Sequence, residues 1–322
     1  MNRVFVGFIV LGPLAVGCSP NDSGNTSVAC QPLTTTTALS APQWQGTVFT
    51  IAMENHSLSD IIGNHDAPFI NSLAKKYAVA AGYHDAFIHP SEANYLWMSS
   101  GENFGVLDDD DPDAHHLDST SHIADQVERA GLTWRAYEEG MGDPCGLKSH
   151  GRYAAKHDPF VYFNDVNGWN GYEFVPSERC LDHVVDYTEL DGDIAAGTVP
   201  RYAFITPDLD DDMHDGSIAD GDKWASREIP KIMATDAYQK GGVIFLLWDE
   251  GSGYPATDDP PFIVISNNAK SGYVSQEDYD TSSYLKTVET LLGVDPLPCM
   301  PVERTTITTM DDLFTVAMTA SP

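Results

Sequence analysis

The sequence predicts an α/β protein with a mostly parallel, doubly wound central sheet and helices on both faces. Two observations lead there. Continuous runs of β-branched, aliphatic and aromatic residues, such as Thr47-Val-Phe-Thr-Ile-Ala-Met53 and Gly242-Val-Ile-Phe-Leu-Leu-Trp248, lack polar alternation and read as strands covered on both sides. Segments with helical spacing separate such runs, which is the order that builds crossover units. A third observation places chemistry on that frame. Two strands end in paired polar residues, Glu54-Asn55 and Asp249-Glu250, at carboxyl ends where ligands bind in such sheets.

Residues 1–18 read as a leader. Arg3 precedes an apolar run from Val4 to Val16 that is broken by Gly7, Gly12 and Pro13 and is too short to span a bilayer. Ala15-Val-Gly-Cys18 resembles a bacterial lipobox, so Cys18 is expected to carry lipid on an exported chain that touches a membrane only through it. Residues 19–45 read as a polar tether, and residues 46–318 as a single domain. After the strand over 47–53, Phe69, Ile70, Leu73 and Tyr77 mark a helix over 67–77. A helix over 120–130 and a strand over 132–137 follow. Strands are expected over 202–206, 242–248 and 261–266, with helices over 223–233 and 282–292.

Setting Cys18 aside, Cys30, Cys145, Cys180 and Cys299 read as two disulfides with three possible pairings. Cys145 with Cys180 is the local choice, flanking the His157 segment, and Cys30 with Cys299 would tie the ends together. The chain has 17 basic and 48 acidic residues among 322, a net charge of −31, which excludes nucleic acid as a partner and disfavours anionic membranes. The densest acidic block, from Asp108 to Asp118, lacks the ligand ladder of a calcium loop and reads as solvated surface.

Four clusters could carry chemistry. A carboxylate beside an amide oxygen, as in Glu54-Asn55, can hold a hard divalent cation. In His89-Pro-Ser-Glu-Ala-Asn-Tyr95, Ser91 sits at a turn entering a helix, where a hydroxyl can be exposed and the helix N-terminus can hold an anion. The third is Asp210-Asp-Asp-Met-His-Asp-Gly216, just past a strand, and the fourth is Asp249-Glu250. Singly, each has an ordinary structural explanation: strand-end carboxylates cap helices, and serine is common in turns. Together they bring a metal, a hydroxyl nucleophile and a proton donor to one sheet edge.

Here the chain resembles a known family. Glu54-Asn-His-Ser57, His89-Pro-Ser-Glu-Ala-Asn-Tyr95, Lys156-His-Asp-Pro-Phe160, Asp212-Met-His-Asp215 with Asp222-Lys-Trp224, and Trp248-Asp-Glu-Gly251 are similar, in order, to motifs of the phosphoesterase family of acid phosphatases and phospholipases C. That resemblance implies an alkaline-phosphatase-like sandwich and a phosphoric ester hydrolase. Ser91 would be the nucleophile, forming a phosphoserine. Glu54, Asn55, Asp249 and Glu250 would bind one divalent metal with Ser91, with calcium, magnesium, manganese or zinc left open. Asn94 would donate to a phosphoryl oxygen, and His157 and His214 would contact the phosphate and protonate the leaving group. Histidinium does this best below neutral pH, so an acidic optimum is expected. Ala93 replaces a usual Pro, Asp208 stands where Pro-Asn is common, and Thr281 stands where the family often has His.

The expected partner is a small phosphate ester, and the expected state a monomer. Gly101-Glu-Asn-Phe-Gly105 resembles the acid-phosphatase branch, so a phosphomonoesterase is favoured over a phospholipase C-type phosphodiesterase. A surface lipoprotein with a dead site is the alternative outside the enzymes, disfavoured because every nucleophile and metal position is filled. A calcium-binding structural lipoprotein rests on the Asp-rich loop alone.

Overall fold

A computed structural model describes residues 29–32, 44–252, 259–297, 299–302 and 307–316. The leader, Cys18 and most of the tether lie outside the described residues. The apolar runs form the middle of an eight-stranded sheet. Its strands are β1 (Val48–Met53), β2 (Ala78–Ala80), β3 (Trp134–Glu138), β4 (Val184–Asp186), β5 (Tyr202–Thr206), β6 (Val243–Trp248), β7 (Phe262–Ser266) and β8 (Tyr273–Ser275). Their order is β8-β2-β7-β6-β1-β5-β3-β4. Every residue of β1, β5, β6 and β7 is buried, as strands covered on both faces require.

The pairing is parallel except at β7, which runs antiparallel to β6 and β2. The link from Trp248 to Phe262 is rich in Gly and Pro and has no helical spacing, and a strand joined without a crossover helix returns antiparallel. The short strands β2, β4 and β8 carry no periodic signal because three residues cannot show one.

The helices that matter for the site are α1 (Pro68–Lys76), α2 (Ser91–Ser100), α3 (Ile123–Arg129), α4 (Ile218–Met233) and α5 (Thr281–Leu292). Helix α4 starts five residues before the expected 223, because Ser217 and Asp220 form a capping box there. All ten residues of α2 are buried, an interior helix and not an amphipathic one. Trp97 Nε1 ties it to Ser282 Oγ of α5 at 2.9 Å, and the Thr50 and Tyr284 hydroxyls, 2.6 Å apart, tie α5 to β1. Asp222 of α4 accepts from the backbone amides of Phe69 and Ile70 at 3.1 and 2.8 Å, joining α4 to the start of α1.

Cys145 and Cys180 form the local disulfide. The strands Ala29–Pro32 and Cys299–Val302 pair antiparallel, while the side chains of the expected Cys30–Cys299 bridge lie outside the described residues. The block from Asp108 to Asp118 is exposed but is more than solvated surface: Asp109, Asp111 and Asp118 accept hydrogen bonds from Lys156, Ser149 and Asn164. It forms a wall beside the site. Among the described residues no helix is long and apolar enough to cross a membrane.

Candidate active site

The parallel register of β1 and β6 sets Met53 opposite Trp248, so Glu54 and Asp249 emerge side by side. Asp249 N donates to Met53 O at 3.0 Å, and Asn55 N donates to Asp249 Oδ1 at 3.3 Å. Asn55 has a φ of +39°, a left-handed conformation that Asn tolerates better than most residues, and the turn aims its amide at both carboxylates. Ser91, the first residue of α2, donates from Oγ to Glu54 Oε2 at 3.1 Å. Four of the expected residues therefore converge: Glu54, Asn55, Ser91 and Asp249.

Their donors and acceptors do not balance. The Asn55 amide nitrogen lies toward both carboxylates, donating to Asp249 Oδ1 at 3.1 Å and to Glu54 Oε2. Glu54 Oε1 and Asp249 Oδ2 are buried without a hydrogen-bond partner. Burial, then repulsion from Asp249 and Asp212, pushes the Glu54 carboxyl well above its ordinary range. Burial and Glu250 do the same to Asp249. A cluster of buried oxygens that repel one another fits a hard divalent cation, which would supply the missing counter-charge.

Glu250 and Asn94 meet each other and His89. Glu250 Oε2 meets His89 Nδ1 and accepts from Asn94 Nδ2 at 3.2 Å, while Asn94 also donates to Ile88 O at 2.9 Å. Asn94 as placed positions Glu250, and its own Oδ1 is buried without a partner.

The imidazoles approach from loops. His157 is 2% exposed, with Nε2 3.3 Å from Glu54 Oε1 and Nδ1 3.3 Å from Asp212 Oδ2, and its ring stacks on Tyr95 of α2 at 5.0 Å. Burial, then the neighbouring Lys156 and His214, hold its pKa well below the usual histidine value. Burial therefore works against a histidinium at position 157. His214 is exposed; Asp215 holds its Nδ1 at 2.8 Å, and its Nε2 faces Lys156 Nζ at 3.5 Å. Lys156 Nζ in turn pairs with Asp109 at 2.8 Å. Burial pushes the Asp212 carboxyl up to about 8, and its backbone carbonyl accepts from Glu54 N at 2.9 Å, which anchors the loop to the strand end.

His89, Lys156, Asp109 and Asp212 belong to the site although their residue types alone assigned them no role. Three of them lie inside motifs already singled out, within two residues of Ser91, His157 and His214. Asp109 had no such signal, because its reach to Lys156 spans 47 positions.

A model of the phosphoesterase family matches residues 43–295. The chain belongs to the phosphoesterase family. Among its relatives, a phosphatidylinositol-3-phosphatase of Mycobacterium tuberculosis is 29% identical, over 92% of this chain and 91% of its own length. A probable acid phosphatase of Kluyveromyces lactis is 26% identical over 75% of this phosphoesterase and 56% of its own length. A phosphate-repressible acid phosphatase of Penicillium chrysogenum is 28% identical over 58% and 44%. The phosphoesterase thus spans about half the length of those fungal relatives. Its fold is similar to that of a Vibrio parahaemolyticus protein of the alkaline phosphatase superfamily, with a TM-score of 0.54 at 11% identity over 89% of this chain and 74% of that one. It is also similar to human ectonucleotide pyrophosphatase/phosphodiesterase 5, with a TM-score of 0.56 at 11% identity over 84% and 100%. The phosphoesterase is a phosphoric ester hydrolase with an alkaline-phosphatase-like fold, and its relatives' names are those of phosphatases.

Proposed function

We propose that this phosphatase is an exported, metal-dependent phosphomonoesterase that works through a phosphoserine on Ser91. The observation that carries this reading is the convergence of Ser91 Oγ with the unpartnered oxygens of Glu54 and Asp249, beside the Asn55 amide. A divalent cation held by Glu54, Asn55, Asp249 and Ser91, with Glu250 beside them, would supply Lewis acidity and offset the phosphoryl charge. Glu54 orients the Ser91 hydroxyl and accepts its proton. Ser91 Oγ bonds to phosphorus as the bond from phosphorus to the leaving oxygen breaks. His214, at the open side of the site with Nδ1 held by Asp215, delivers a proton to that oxygen through Nε2. Water then cleaves the phosphoserine, releasing inorganic phosphate and restoring Ser91. The His157 ring, stacked on Tyr95, lies between the Glu54 and Asp212 carboxyls. The relatives' names, all phosphatases, favour a monoester over the phospholipase C alternative. The Cys145–Cys180 disulfide favours an oxidising compartment.

A panel of aryl phosphate, nucleotide, phosphoinositide and phosphodiester, run with and without Ca2+, Mg2+, Mn2+ and Zn2+, tests the substrate class and metal requirement. Ser91→Ala is expected to lose roughly 10⁴-fold or more of kcat/KM, and acid quenching of wild type should trap phosphate on the Ser91 peptide. Turnover by Ser91→Ala near the wild-type rate would refute the mechanism.

A further inference from the structure

We propose a second divalent-cation site, built by Glu92, Asp108 and His115, that fastens the acidic loop to the first turn of the nucleophile helix. Glu92 is the second residue of α2 and is fully buried, yet both of its carboxylate oxygens lack a hydrogen-bond partner. Among the described residues it makes no ion pair. The Tyr162 hydroxyl beside it donates to the Asp110 carbonyl at 2.9 Å. A buried carboxylate without partners is costly, and Glu is almost never fully buried unless paired. What faces it is acidic: Asp108, Asp109 and Asp110. The geometry favours a ligand over a defect, because Glu92, Asp108 and His115 each bring one ligating atom within 4.8 Å of the others. Metal–ligand distances of about 2.0–2.2 Å put the ligands of a tetrahedral ion about 3.3–3.6 Å apart, so side-chain adjustments of up to about 1.5 Å would close the cluster.

The loop is already set for this. Asp109 Oδ1 accepts from Glu92 N at 3.1 Å, which holds the loop against α2, and Asp108 Oδ1 lies 2.6 Å from His115 Nε2. Two carboxylates with one imidazole select Zn2+ or Mn2+ over Ca2+, which takes oxygen ligands. The loop by itself lacks a calcium ladder; the third ligand comes from the helix. The site shares no residue with the Ser91 cluster, but Asp109 connects the two, since its other oxygen pairs with Lys156, which faces His214. A loaded cation would steady that chain of contacts.

The test uses the full-length protein stripped by chelation and dialysed separately against Zn2+, Mn2+ and Ca2+, with bound metal counted by elemental analysis. Wild type is expected to hold one more equivalent of Zn2+ or Mn2+ than Glu92→Gln or His115→Ala, with affinity at this site falling at least about 100-fold in either variant. Asp249→Asn should lose a different equivalent and keep this one, so failure here and failure of the catalytic-metal reading give different counts. If Glu92→Gln does not fold, His115→Ala, on the exposed loop, decides alone. Equal stoichiometry and affinity in wild type and His115→Ala would overturn the proposal, as would Ca2+ filling the site equally well in both.

Discussion

Glu54, Asn55 and Asp249 leave the ends of two adjacent parallel strands, whereas Lys156 and His157 sit in a short 3-10 turn (Ala155–His157) and His214 on a loop, both between elements distant in sequence. In the strand half, one ladder of backbone hydrogen bonds fixes the relative height of both carboxylates, and burial of every strand residue makes slippage costly. In the loop half, positions depend on side-chain contacts: Lys156 on Asp109, His214 on Asp215, and the His157 ring on Tyr95. The difference assigns work. The rigid half suits metal binding, which tolerates little misplacement, and the looser half suits proton delivery, which needs access to solvent.

The sharpest way to break this division is in the strand half. Asp249→Asn removes a charged oxygen from the convergent cluster and should lower kcat/KM roughly 10³-fold, the several kcal/mol expected of a lost metal, with partial rescue by excess cation. A variant as active as wild type at trace metal would show that the strand ends are not the ligand platform. In the loop half, His214→Gln should cost roughly 10²-fold with an alkyl phosphate and much less with a nitrophenyl phosphate, whose leaving group needs no proton. Equal losses on the two substrates would remove His214 from proton delivery.

Smaller effects probe what holds the loops. The Cys145–Cys180 bridge closes a stretch of 35 residues around His157, and replacing both with Ser should destabilise the protein by about 3–4 kcal/mol. Metal affinity at the strand ends should remain; thermal melts and metal titration on the same variant separate the two halves. Behind His157 lies Asp158, whose carboxyl burial pushes up to about 7, with Glu138 also raised beside it. Below about pH 4 this group is protonated in both folded and unfolded chains; between about pH 4 and 7 only the unfolded chain loses the proton. Stability should therefore fall as pH rises through that window, on the order of 4 kcal/mol, and Asp158→Asn should flatten the slope in melts taken across it.

Much of the strand half was legible in sequence because its signals are local. Continuous apolar runs identify buried strands, and the polar pairs directly after them mark the ligand edge. Ser91 was legible for the same reason, at a turn before a helix. The parallel direction of most strands followed from intervening helical spacing, while the reversal of β7 depended on a link that has none. The loop half was only partly legible: His157 and His214 stood out by residue type, but the lowered pKa of His157 did not, since it depends on burial and on charges brought in from elsewhere.

By itself the sequence determined the fold class, the carboxyl-end location of the site and the residues offered there, because hydrophobic period and strand-end polarity are properties of short segments. Only the tertiary structure decided that Asn94 and His89 hold Glu250, that burial lowers the His157 pKa, and that the acidic block leans on the nucleophile helix. Those outcomes depend on distances between residues far apart in the chain, and on how much water is excluded between them once they meet.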